Sequence, residues 1–236
     1  MSAIFERYEV NIGSEAKKWQ IFPYRQYQDE RYTGRLVFGG HVVRLKHAES
    51  GGFINIDDEG RLATGDMQGY LRIYTGPQTG EDAEEQMSTN SLFEIEYDTQ
   101  EEHGRATVWE DDKTGLPIKY RFRHINSGRV LTVKTITKNG KDIHILTSGH
   151  TLSSADVLPR DKRPANMTPE QQQLDEFNRE MSEAELVNSL FVLKSSTIDN
   201  DNYINGDSVV KIISAMNNFY LTSVKKKAQE EDEEDE

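Results

Sequence analysis

A fourteen-residue segment that occurs three times without a gap constrains this chain more than any other feature. Residues 42–55 read VVRLKHAESGGFIN, residues 119–132 read KYRFRHINSGRVLT, and residues 209–222 read VVKIISAMNNFYLT. In each copy apolar residues alternate (Val43/Leu45, Tyr120/Phe122, Val210/Ile212), a polar turn follows, and a second apolar strand returns. Gly51 and Gly52, Gly128, and Asn217 and Asn218 stand where a tight connection imposes positive φ. Each copy is expected to form a hairpin.

A second block also recurs. Lys18-Trp19-Gln20-Ile21, Asn90-Ser91-Leu92-Phe93-Glu94-Ile95 and Asn188-Ser189-Leu190-Phe191-Val192-Leu193 each place an aromatic two residues before Ile or Leu, on one face of a strand. Between the blocks lie candidate third strands, YLRIY at 70–74 and IHILT at 143–147. A four-strand unit repeated threefold predicts an all-β chain, a β-trefoil whose hairpins cap one end of a short barrel. The third unit is incomplete, because neither a third nor a closing strand is readable after Ser223, where the chain runs into KKKAQEEDEEDE. Either residues 19–22 close the barrel from the N-terminal side, or they end a preceding domain and the chain stops inside its last repeat. The second arrangement is the expected one.

The expected division is therefore an N-terminal segment, 1–34, with a closing strand at 18–22, a trefoil over 35–224, and an acidic, disordered tail over 225–236. The second unit carries an insertion. Thr168-Pro169-Glu170-Gln171 supplies an N-cap, a proline at the first helical position and a capping-box partner, so a helix is expected over 169–181. Leu174, Phe177 and Met181 form its apolar stripe.

Composition narrows the function classes. With 41 acidic against 28 basic side chains and a net charge of -13, the chain is not built to neutralise nucleic-acid phosphates. No apolar run is long enough to span a bilayer, and MSAIFERYEV lacks the basic start and apolar core of a signal peptide, so the segment is expected to be soluble. Absence of cysteine leaves no disulfide framework or thiolate metal site. No GxSxG, HExxH or P-loop is present, and no nucleophile, base and oxyanion set stands out. The expectation is a non-enzyme without a cofactor or metal.

Four blocks, GGHVVRLKHAESGGFI (39–54), NSLFEIE (90–96), YRFRHINSGRVLTV (120–133) and GDSVVKIISAMNNFYLTS (206–223), together resemble the MIR domain of inositol trisphosphate receptors and ryanodine receptors. The likeness covers roughly residues 18–223. The MIR name also embraces protein O-mannosyltransferases and their luminal relatives; the GG-H-VVRL-K-HA phrase sides with the channels. The resemblance implies a β-trefoil on the cytosolic face of the endoplasmic reticulum, part of a tetrameric calcium-release channel, with neighbouring domains and subunits as partners and a role in ligand-coupled gating. The alternative it implies is a MIR module of an O-mannosyltransferase or related luminal protein that binds glycan or nascent chain. In the inositol trisphosphate receptor the trefoil lends an Arg-Thr-Thr-Gly-Arg loop to a phosphate clamp shared with a following helical domain. The residues matching it, with one residue inserted, are Arg72, Thr75 and Gly76, the candidates for phosphoinositide binding; Pro77 replaces the second arginine, and Glu81, Asp82, Glu84 and Glu85, which would repel a triphosphate, follow.

Other conspicuous residues read as structural. His47 and His124 occupy equivalent positions a third of a turn apart and fit repeat packing rather than a metal pair. Asp199-Asn200-Asp201-Asn202 opens like a calcium loop, but Tyr203 and Ile204 occupy ligand and glycine positions, so a polar turn is expected. Asn166-Met167-Thr168 fits the glycosylation triplet, which matters only in a luminal protein.

Overall fold

A computed structural model describes residues 8–24, 36–56, 71, 73–76, 89–98, 104–149, 184–197 and 201–225. Among these residues the chain forms twelve strands: β1 (Tyr8–Gly13), β2 (Trp19–Pro23), β3 (Val42–His47), β4 (Ile54–Ile56), β5 (Ile73–Thr75), β6 (Phe93–Tyr97), β7 (Lys119–His124), β8 (Leu131–Lys138), β9 (Lys141–Ser148), β10 (Phe191–Ser195), β11 (Val209–Ser214) and β12 (Tyr220–Lys225). Six of them close on themselves. β2 pairs with β3, β3 with β6, β6 with β7, β7 with β10, β10 with β11, and β11 with β2, all antiparallel. The other six make three cap pairs, β4 with β5, β8 with β9 and β12 with β1. This is the β-trefoil that the repeats predict.

The register shows why the repeats read as they do. Trp19, Phe93 and Phe191 open β2, β6 and β10 and face His47, His124 and Ser214 across one seam. Across the other they face Val210, Val43 and Tyr120. All three aromatics therefore hold equivalent barrel positions. The residues two further on, Ile21, Ile95 and Leu193, face Leu45, Phe122 and Ile212 and make the next layer. Every one of these apolar side chains is at most 2% exposed, which fits the period-two alternation along each stave.

Two expectations need correction. The third repeat is not left open: β1, the third cap strand, and β2, the closing stave, come from the N-terminal side and complete it. Of the two arrangements the sequence allowed, the barrel takes the one in which residues 19–22 close it, and β1 and β2 belong to the ten-stranded sheet that holds all the staves. The fourteen-residue copies, moreover, are corners rather than extended hairpins. Each turn is closed by a single bridge, Lys46 to Phe53, Arg123 to Val130 or Ile213 to Tyr220, after which the second strand crosses to the cap and pairs with the third strand of its repeat. The helix expected over 169–181 and the tail beyond 225 lie outside the described residues.

The end of the barrel away from the caps is shut by a backbone ring that no periodicity announces. The Val37 N–H donates to the Ile204 carbonyl at 3.0 Å, Ile204 N–H to Thr107 at 2.9 Å, and Thr107 N–H to Val37 at 2.8 Å. All three residues are fully buried. Bridges from Leu36 to Asn205, Phe38 to Ala106 and Val108 to Tyr203 surround the ring with the same threefold order. Each inter-repeat linker thus satisfies the buried polar groups of the next.

Candidate functional site

The cap is where chemistry-bearing side chains gather, beginning with the three corners. Gly51, Gly128 and Asn218 occupy the same position in each corner and all have left-handed φ, 75°, 66° and 61°. Their N–H groups donate to the carbonyls of His47, His124 and Ser214 at 2.8, 2.8 and 3.0 Å. The histidines are part of the turns: His47 Nδ1 accepts from the Ser50 N–H at 3.1 Å, and His124 Nδ1 from the Ser127 N–H at 3.3 Å. An accepting Nδ1 places the ring proton on Nε2. In His124 that nitrogen lies 3.1 Å from the Asn90 carbonyl, a donor to the NSLF block of its own seam. His47 Nε2 is buried with no hydrogen-bond partner among the described residues, and its ring meets Trp19 edge-on at 4.9 Å. Burial holds the His47 pKa below the usual imidazole value against the pull of Glu49. The pair of histidines is structural, as their equivalence suggested.

The NSLF blocks have a second task. Arg44 Nε donates to Ser91 Oγ at 2.9 Å, and Arg121 Nε to Ser189 Oγ at 3.0 Å, so the third residue of one stave grips the serine ahead of the next. Arg121 also reaches Asp98 Oδ1 at 2.7 Å, and Arg123 forks onto the Glu96 carboxylate at 2.6 and 3.0 Å. These guanidiniums are spent on the barrel's outer wall.

Of the phosphate candidates, Arg72 and the neighbouring Pro77 lie outside the described residues. Thr75 is fully buried in β5, with Oγ1 3.5 Å from Ser223 Oγ. Gly76 is buried against Gly52 so closely that a Cβ on Gly52 would stand 1.9 Å from the Gly76 carbonyl oxygen. Thr75 and Gly76 are therefore packed into the cap rather than presented at its surface. Asn202 ties the polar turn at 201–207 to the adjacent linker, donating to the Glu110 carbonyl at 2.9 Å and to Asp112 Oδ1 at 2.7 Å. The Asn166 triplet and the acidic run at 230–236 lie outside the described residues.

A groove that the sequence did not announce runs along β8. It has a volume of about 200 Å³ and is lined by residues 132–135, by Ala184, Glu185 and Asn188 of the helical residues 184–188, and by Met216 of the third corner. Glu185 is only 7% exposed, while Met216 and Val187 are 44% and 58% exposed. Its sequence signal was weak. The repeat ended the second corner at 132 and periodicity marked 143–147 as a separate third strand; the Asn139–Gly140 turn that joins them into one hairpin is the signal that could have found this wall.

Comparison with known families gives one match. The MIR domain model matches residues 35–236, beginning after the two strands that complete the third repeat. That span takes in all three corners, both NSLF blocks and the β8 groove, on a barrel whose register repeats threefold. The chain belongs to the MIR domain family.

Proposed function

We propose that this MIR trefoil is a non-catalytic module of the cytosolic N-terminal region of an intracellular calcium-release channel, of the inositol trisphosphate or ryanodine receptor type. MIR domains are non-catalytic modules, and the buried histidines here are committed to turns, not poised against a substrate. The observation that carries the channel reading is the phrase GGHVVRLKHAESGGFI at 39–54. Its work is mechanical: a barrel closed at one end by a backbone ring and at the other by interlocked corners moves as one body, and passes ligand-driven shifts between neighbouring domains and subunits of a tetramer. Inositol phosphate would be held only with a following helical domain, since Thr75 and Gly76 are packed inward.

Membrane sidedness tests this. An epitope placed at the exposed Asn139–Gly140 tip of the β8–β9 hairpin in the full-length protein is expected to bind antibody once the plasma membrane alone is permeabilised. Labelling only after the endoplasmic reticulum membrane is also dissolved would overturn the channel reading in favour of a luminal MIR module.

A further inference from the structure

Arg44 and Arg121 stand at the same position of the first and second repeats, and each has a partner on either side. Ahead of the next stave lie Ser91 and Ser189, whose Oγ atoms accept from the two Nε–H groups at 2.9 and 3.0 Å. Past the end of the facing stave lie Tyr24, whose ring centre is 4.9 Å from the Arg44 guanidinium, and Asp98, whose Oδ1 takes Arg121 at 2.7 Å. The third repeat keeps the position and loses both partners. Lys211 replaces the arginine and Lys17 the serine, while Ser196 replaces the tyrosine or aspartate, its Oγ buried with no hydrogen-bond partner among the described residues.

The register adds two more cations. Arg121 faces Glu96 across β6 and β7, whereas at the equivalent place Lys211 faces Lys194 across β10 and β11. Like charges directly opposite one another destabilise a sheet, where an unlike pair supports it. On its other side β11 runs against β2, Val209 with Gln20 and Val210 with Trp19, and one further step brings Lys18 beside Lys211. Lys18 stands where the other two repeats have the buried Leu92 and Leu190. Lys18 and Lys194 are exposed and Lys211 is half-buried. Among the described residues no carboxylate pairs with any of the three, and the nearby Glu15 and Glu49 are taken by Lys17 at 3.1 and 3.6 Å. A chain of net charge -13 thus carries a row of cations across three adjacent staves. Staves lie about 4.8 Å apart, close to the 5.4 Å pitch of an α-helix, so a helix lying across them with a carboxylate on each turn meets one lysine per stave. A phosphate fits less well, since it is held by converging donors, an arginine fork or a nest of free N–H groups, and these ammonium groups stand apart on a wall whose N–H groups are in the ladder. A membrane or a nucleic acid spreads its anions beyond the row, where the net negative charge of the chain repels them.

We propose that the outer wall formed by β10, β11 and β2 docks an acidic segment of a partner polypeptide, a helix carrying a carboxylate on each of three successive turns. The inference is independent of which side of the membrane the module faces. Lys194→Glu is the decisive variant, because it sets a carboxylate against Lys211 as Glu96 is set against Arg121. Its melting temperature is expected to rise by about 2–4 °C as a like-charge pair becomes an unlike one. A fall would mean that Lys194 is already paired within the chain, and overturns the proposal. Random sixteen-residue peptides displayed on phage are then selected on the full chain and counter-selected on Lys194→Glu. Enriched sequences are expected to carry Glu or Asp at every third or fourth position, and the synthetic peptide to bind at least tenfold more weakly to Lys194→Glu and to Lys18→Glu. Binding lost from a variant that melts higher is lost recognition, not lost folding. A library without enriched acids, or binding indifferent to both substitutions, overturns the proposal. So does displacement of the peptide by an equal concentration of tripolyphosphate, or binding to phosphatidylserine vesicles that Lys194→Glu abolishes, since the ligand would then be a phosphate or a membrane. A chain with the acids of 230–236 replaced by Gln and Asn is expected to bind the peptide as the parent does. Tenfold tighter binding would show that the chain's own acidic run fills the row, and overturns a separate partner.

Discussion

Two glycines and three histidines show how closely single residues are specified in the barrel and its cap. Gly52 has no room for a side chain: a Cβ there would stand 1.9 Å from the Gly76 oxygen and 3.0 Å from its carbonyl carbon, both backbone atoms that move only with β5. Gly52→Ala is expected to cost about 3 kcal/mol or somewhat more, at the upper end of overpacking, and Gly128→Ala only about 1–2 kcal/mol for its left-handed φ of 66°. Urea denaturation of both variants checks the order. The histidines add a pH dependence. Burial lowers the pKa of both His41 and His47, opposed at His47 by Glu49 and reinforced there by Lys17. A base whose folded pKa lies below its unfolded value binds fewer protons when folded, so stability is whole above the unfolded pKa, near 6.5, and declines as pH falls from there towards the folded pKa. Equilibrium unfolding between pH 7.5 and 5.5 should show this slope reduced in a His41→Asn/His47→Asn double variant. Equal slopes in variant and parent would mean that neither ring is buried neutral. Position was readable for these residues and environment was not: the alignment put His47 and His124 at one point of the repeat, but their roles as acceptors for the Ser50 and Ser127 N–H groups depend on a turn only three residues wide.

Strands were legible to the degree that burial made them periodic. All six staves alternate buried and less buried side chains, and the core residues chosen from that alternation, from Trp19 to Ile212, are those the barrel buries. β1 was missed although YEVNIG alternates as a half-buried strand does, because it lies outside the repeated blocks and its partner β12 stands at the other end of the chain. Its contribution is nonetheless large. It pairs with β12 over six residues, buries Val10 and Ile12, and carries the chain into β2, whose Trp19 Nε1 donates to the Leu221 carbonyl at 3.0 Å. A chain shortened to residues 35–236, the span of the family match, would leave β12 an unpaired edge and remove one of six staves. Such a chain is expected to lack a cooperative melt and to bind a hydrophobic dye, and a synthetic peptide of residues 1–34 added in trans should restore the melt. A sharp transition in the shortened chain without the peptide would show that five staves and two paired caps are enough. The β8–β9 pair is a different case: only its ends were read, as the return of the second corner and the third strand at 143–147, and its place outside the main sheet is decided by partners distant in sequence.

Across the whole molecule the threefold order links segments that are far apart in the chain, and this sets how it opens. Every stave lies between staves of other elements, and the three linkers meet in the ring of Val37, Thr107 and Ile204, whose members are separated by many tens of residues and whose hydrogen bonds each cross a repeat boundary. The ring has no independent unit to unfold with. Releasing any one of its N–H groups exposes a fully buried backbone donor and the carbonyl it served, at roughly 1–3 kcal/mol for each unsatisfied group, and also frees the two linkers that the donor joined. Local opening is therefore steep, and the three amides are expected to exchange only through global unfolding, with free energies equal to one another and to the value from denaturation. The cap should behave differently, with β8–β9, two strands outside the main sheet, exchanging at lower cost. Thr107→Val provides the perturbation: it keeps the ring's backbone bonds and shape but removes the hydroxyl that donates to the Val37 carbonyl at 2.9 Å, for a loss of about 1 kcal/mol. If the ring opens only with the whole barrel, that loss appears equally at Val37, Thr107 and Ile204. A reduction confined to Thr107 would show instead that the three linkers fray separately, and that the barrel is not the single rigid body its role in passing movement between neighbours requires.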